Sequence, residues 1–152
     1  MLIDTLEKGP VFLQNLLASI PPSLFKVRRK KGKWTIHEHA CHLPVAEQMI
    51  QQRYRRFLQE DRPDFASYIP GETVEDNLMD DNLEEAITNL VNMREETIDL
   101  LRSFQQDDWI KKADHEEYTD YGAYILLRHH VMHDHFHMYR IEELWITRDQ
   151  YL

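Results

Sequence analysis

Five of the nine histidines fall within nine residues, in His129-His130-Val131-Met132-His133-Asp134-His135-Phe136-His137. At about 100° per residue, side chains four apart on a helix lie one turn along and about 40° around. His129, His133 and His137 therefore share one stripe, His130 flanks it, and His135 points to the opposite side. A His-x-x-x-His pair offers two imidazole nitrogens to a single cation. A third ligand is expected from His42, on the inward face of an earlier helix with Ala46, Met49 and Arg53. Three histidines leave open positions for water or a substrate, the arrangement of a catalytic site rather than a closed structural one. The expected ion is divalent, with Zn²⁺ first and Ni²⁺, Fe²⁺ or Mn²⁺ also compatible with imidazole. Ligation requires neutral rings, so acidification below about pH 6.5 is expected to release it.

The neighbouring polar residues have competing roles. Asp134 stands where a His-Glu-x-x-His metalloprotease helix carries its general base, but its side chain is shorter. Glu38 and Glu47 could orient a ring or a water, although Glu38 also reads as half of a helix cap. His39 and His130 are alternate ligands or supports for ligands. His129 is expected to pack against a neighbouring helix, His135 to face solvent, and Cys41 to pack. His37 and His115 have no evident partner. The competing reading of the whole cluster is a polar interior stripe, or adventitious metal binding on a histidine-rich surface.

Four helices must position these residues. The first runs to Ile20, with Pro10 kinking it or starting it anew, and Pro21-Pro22 ends it. The second starts at the capping box Thr35-x-x-Glu38 and runs from Ile36 to Leu58. Pro44 bends it beside His42. The segment Asp61–Asp81 reads as a long loop with a helical turn near Glu75 to Leu78. A third helix begins at Asp81, paired with Glu84, and carries Leu83, Ile87, Leu90, Arg94, Thr97, Leu101 and Phe104 on one face. A charged connector, Gln105 to Tyr118, holds Trp109. Thr119 or Asp120 caps the fourth helix, which runs to about Trp145. No run shows strand alternation, so the fold class is an all-α four-helix bundle. The loop Asp61–Asp81 and the connector around Trp109 are expected to shape the mouth of the pocket.

The ligand levels constrain direction. At about 1.5 Å per residue, His42 lies roughly 10 Å into its helix, whereas His133 and His137 lie roughly 20–26 Å into theirs. The two sets meet only if the second and fourth helices are antiparallel, which needs a crossover, and the loop between the second and third helices is long enough to supply it.

Composition excludes several classes. With 152 residues, 42% hydrophobic and 30% charged, the chain (1–152) reads as a single helical domain that needs no disulfide. A net charge of -9 would repel nucleic acid and anionic membranes. The basic run Lys26-Val27-Arg28-Arg29-Lys30-Lys31-Gly32-Lys33 could hold a phosphate, but reads first as a solvated connector. One cysteine, no signal peptide and no apolar run of about 20 residues point to the cytoplasm.

The stretch Trp34-Thr-Ile-His-Glu38-His-Ala-Cys-His42-Leu43, followed by His129-x-x-x-His133-Asp134-x-x-His137 and Ile141, resembles the DinB-like family. The likeness takes in Pro10, Pro21 and the connector before Trp34, while Pro44 departs from the family's usual second helix. It implies a metal-binding bundle of up-down-down-up topology with a three-histidine site at His42, His133 and His137. It also implies a homodimer, for which Tyr124, Trp145 and Ile146 offer apolar edges. Family members include metal-dependent hydrolases and transferases of low-molecular-weight thiols such as bacillithiol and mycothiol. The expected activity is one of these two on a small-molecule substrate. The alternative is a non-catalytic metal- or ligand-binding dimeric module. The family's damage-inducible name does not imply DNA binding.

Overall fold

The computed structural model describes residues 1–67 and 77–152. Four long helices form a bundle: α1 (Leu2–Ser19), α2 (Ile36–Gln59), α3 (Leu83–Ser103) and, after a short α4 (Gln106–Ile110), α5 (Ala123–Ile146). Two apolar clusters fill it. One joins Leu6 of α1, Ile50, Tyr54 and Phe57 of α2, Ile98 and Leu101 of α3, and Leu126 and Leu127 of α5. The other joins Leu13 and Leu17, Ile36 and Leu43, Ile87 and Leu90, and Met138 and Ile141. Along the chain, α1 and α5 pass from the first cluster to the second, and α2 and α3 pass from the second to the first. The topology is therefore up-down-down-up, with the crossover between α2 and α3.

Between the two clusters lies a layer of buried charge. The Arg94 guanidinium, 2% exposed, donates from Nε and Nη2 to Glu47 Oε2 at 3.0 and 2.7 Å. It also meets Asp134 Oδ2 at 2.8 Å. Thr97 Oγ1 donates to Glu47 Oε1 at 2.6 Å. His130 Nε2 lies 2.9 Å from Glu47 Oε2, and its Nδ1 lies 3.3 Å from the Tyr54 hydroxyl. With its proton on Nε2, the ring donates to Glu47 and accepts from Tyr54. Burial raises the Glu47 pKa, but His130 and Arg94 outweigh it and hold the group at about 2.

This layer explains why Pro10 does not break α1. A proline at position 10 cannot donate to the carbonyl of Leu6, four residues back. Arg94 Nη1 donates to that carbonyl instead, at 2.6 Å, and α1 continues through Pro10. Gly9 makes the approach possible: a Cβ there would lie 3.0 Å from Asp134 Oδ2 and 3.1 Å from Arg94 Nη1.

The ends of the elements follow local chemistry. Thr35 Oγ1 accepts from the Glu38 N–H at 3.1 Å and Glu38 Oε2 from the Thr35 N–H at 2.7 Å, the expected capping box. The cap of α3 is Asn82 rather than Asp81: its Oδ1 accepts from the N–H groups of Glu84 and Glu85. Neither Thr119 nor Asp120 caps α5, because a strand leads directly into it. The strands β1 (Asp64–Phe65), β2 (Lys112–His115) and β3 (Tyr121–Gly122) form a small sheet, with β1 parallel and β3 antiparallel to β2. They are too short for alternation to mark them in the sequence. Asp120 pairs instead with Lys112 Nζ at 2.6 Å. The inward face of α2 is also rotated from expectation, with Glu47, Ile50, Tyr54 and Phe57 buried and Arg53 half-exposed, lying over the Phe65 ring. Trp109 packs on Phe104 in the first cluster, away from the histidines. Of the turn expected near Glu75 to Leu78, residues 75 and 76 lie outside the described residues; Leu78 packs beside Cys41 and Ala86.

Replacing Arg94 strands two buried carboxylates and the Leu6 carbonyl together. Arg94→Met is expected to lower unfolding stability by about 3–5 kcal/mol, read from urea denaturation of the metal-free protein. A loss below about 1 kcal/mol would show the ion pairs to be dispensable. Glu47 adds a pH signature. Its folded pKa is depressed below the ordinary 4.5, so its contribution is present above that value and is lost as pH falls toward about 2. Glu47→Gln should therefore be less stable at pH 7 and flatter between pH 4.5 and 2; a slope matching the wild type would refute the assignment.

Candidate metal centre

The chain brings His42, His133 and His137 together. One ring nitrogen from each lies within 4.8 Å of the others. His133 Nε2 is 3.1 Å from His42 Nε2 and 3.2 Å from His137 Nε2. The i, i+4 spacing on α5 sets His133 one turn from His137, with the rings tilted and their centroids 4.5 Å apart. The antiparallel α2 brings His42 to the same level. Pro44 sits inside α2, which is continuous past it.

This donor set fits a cation. A single in-plane position on His133 Nε2 cannot serve two other Nε2 atoms as well as one central ion can. Tetrahedral Zn–N bonds of about 2.0–2.1 Å place ligand nitrogens about 3.3–3.4 Å apart, close to the separations found. Burial first, then the neighbouring rings, lowers the pKa of His133 to about 3 and of His137 to about 2. Both rings therefore stay neutral, as ligation requires, well below the expected threshold of about 6.5.

Support comes from one side. His39 Nδ1 lies 2.9 Å from His137 Nδ1. With Nε2 of His137 turned to the cluster, its Nδ1–H donates to His39, whose own proton then sits on Nε2. Burial and the Arg140 charge lower the His39 pKa to about 4. Trp34 covers these rings, stacked on His137 at 5.8 Å and tilted over His42 at 4.9 Å. A cavity of about 780 Å³ opens beside His137, His39 and Trp34. Its rim includes Lys30, Gly32 and Lys33, so the basic connector shapes this mouth, not Trp109. Gly32, at φ 72°, makes the turn that returns the connector to Trp34.

The remaining candidates lie elsewhere. His130, Glu47 and Asp134 belong to the Arg94 layer, so none of the three faces the cluster as a base or alternate ligand. Glu38 caps α2 and accepts from Arg28 at 2.9 Å. His129 packs against Tyr118 and Tyr121, not a helix. His135 is exposed, and its ring meets the Val131 carbonyl. His115 contacts the same two tyrosines. His37 Nε2 lies 3.5 Å from Cys41 Sγ; burial, then Asp81, raises that thiol to about 12, which suits packing. Sequence reasoning missed the Arg94 hub, whose signal was a charged residue in the apolar register of α3. It gave Trp34 no role beyond the motif.

Comparisons with known proteins bear on the fold and the family. No curated protein matches the chain. Among solved structures, YfiT from Bacillus subtilis has a TM-score of 0.82 at 20% identity, covering 94% of this chain and 83% of its own. That protein is described as "a probable metal-dependent hydrolase with an unusual four-helix bundle topology"; the likeness establishes the shared fold. The family model of the DinB superfamily matches residues 5–141, from α1 through the last histidine of the cluster. With that match spanning most of its length, the chain belongs to the DinB superfamily.

Proposed function

We propose that this protein is a metal-dependent enzyme whose divalent cation is held by His42, His133 and His137. The observation that carries the reading is the convergence of three Nε2 atoms beside an open cavity. When bound, such a cation supplies Lewis acidity and lowers the pKa of a water or thiol toward neutrality. The chain's own residues do the rest. Burial keeps the His133 and His137 rings neutral, His39 fixes the His137 tautomer, and Trp34 shields one side from water. No carboxylate is placed as a base at the cluster among the described residues. That favours reactions in which the cation itself activates the nucleophile: hydrolysis of a small molecule, or transfer of a low-molecular-weight thiol. Zn²⁺ is the first choice of ion, with Ni²⁺, Fe²⁺ or Mn²⁺ compatible. The alternative, a binding module without catalysis, is disfavoured by the cavity reaching His137.

No helix among the described residues is long and apolar enough to cross a membrane. A single cysteine and a net charge of -9 support a cytoplasmic protein, one domain over 1–152, that avoids nucleic acid.

Metal per chain, measured after dialysis, tests the ligand set. Alanine at His42, His133 or His137 should each lose most of the metal, and His135→Ala should retain it. Near-stoichiometric metal in His133→Ala would sink the assignment, and equal loss in His135→Ala would indicate surface binding. Screening the loaded protein against thiols and simple esters then separates transfer from hydrolysis.

A homodimer is part of the same reading. Met132, Phe136 and Tyr139 form an exposed stripe on α5, flanked by Tyr124 and Ile146, an arrangement suited to a helix-to-helix interface. Trp145 contributes less, being half-buried against the second cluster. Sedimentation at about 50 µM should show a dimer; monomer alone would count against it.

A further inference from the structure

We infer that the substrate site beside the three histidines selects a small molecule with an anionic end and an apolar body. This deepens the metal-enzyme reading and rests on it for which end reacts. The charged side chains that line the cavity are all basic, namely Lys30, Lys33 and Arg140, with no Asp or Glu side chain among them. That composition is pronounced in a chain with 27 acidic residues against 18 basic ones. The Lys33 ammonium has no partner among the described residues. The Lys30 ammonium donates to a main-chain oxygen of Leu152, itself part of the lining, at 2.8 Å, and Arg140 is shared with Glu143, which leaves Lys33 as the principal anchor.

The apolar part of the lining is Trp34 and Phe136 beside the histidines, with Leu144 one turn beyond Arg140 on α5. Trp34 and Phe136 both pack against His137, at 5.8 and 5.2 Å between ring centroids. An occupant can thus set its anion on the rim, its body on the aromatic floor, and its far end toward the cluster. At about 780 Å³ the cavity is of a size that takes a small organic ligand. An anion gains there twice, from charge-assisted hydrogen bonds and from steering against an otherwise acidic surface.

Three probes with one phenylpropyl body test this on the metal-loaded full chain: 3-phenylpropane-1-sulfonate, 3-phenylpropan-1-ol and 3-phenylpropylammonium. The sulfonate is a poor metal ligand, so its binding reports the rim. Calorimetry should show it binding about tenfold or more tighter than the other two, the worth of one charge-assisted contact. Raising the salt should narrow that gap. The double variant Lys33→Gln/Arg140→Gln should bring the sulfonate to the level of the alcohol, leave the alcohol unchanged and keep its metal. Equal affinity for all three probes, tighter binding of the ammonium, or undiminished sulfonate binding in the double variant would each overturn the inference. Metal content of the same samples separates the two readings. Metal-loaded protein with no preference for the anion defeats the inference alone. Protein that cannot be loaded defeats the metal-enzyme reading, and sulfonate preference in that protein still supports a basic, apolar-floored ligand site.

Discussion

The Arg94 guanidinium is the constraint on which the rest of the bundle depends. It reaches a backbone carbonyl of α1, a carboxylate of α2 and a carboxylate of α5 from its own place on α3. Apolar contacts are non-directional, so the two clusters could tolerate small slides of one helix along another. Charge-assisted hydrogen bonds at 2.6–3.0 Å cannot. Moving any of the four long helices by one turn would leave a buried charge or carbonyl unpaired. Gly9 and Pro10 are the counterpart on α1: one removes the side chain that would block Arg94, and the other frees the carbonyl it binds.

The three-histidine cluster inherits its geometry from this layer. Asp134 follows His133 directly and lies three residues before His137. Pairing it with Arg94 sets the rotation of α5 about its axis. With Asp134 and His130 turned toward α2 and α3 inside the bundle, the stripe of His133 and His137 faces His42 across the neighbouring groove. His42 is placed by the same layer, because Glu47 fixes α2 along its length five residues further on.

Much of this was legible in the sequence, for identifiable reasons. The helix periods, the Thr35–Glu38 capping box and the i, i+4 histidines are local signals, and each reappears in the structure. The level of His42 against His133 and His137 called for antiparallel helices, and these are present. The misses depend on contacts between distant segments. Whether Pro10 interrupts α1 depends on Arg94, 84 positions away. Asp120 has the chemistry of a cap, but β2 engages it first through Lys112. Glu47 stands close to His42 in sequence, yet its angle around α2 points it at Arg94 and His130. The basic connector read as solvated because charge runs usually are, and only the fold sets it over His137.

Burial acts with opposite outcomes in the two adjacent layers. In the three-histidine cluster, loss of solvent and the nearness of other rings both disfavour a proton on His133 and His137, so those two imidazoles are neutral. In the Arg94 layer, burial also disfavours charge, but Glu47 meets opposite charge and several donors at close range, and those interactions win. Glu47 stays charged there through partners on α3 and α5, and Arg94 in turn is held from α1, α2 and α5. The bundle must therefore be fully assembled before that layer is stable, and it is the assembled layer that orients α5. Formation of the site is thereby coupled to completion of the fold, although the three-histidine cluster itself draws on just two of the helices.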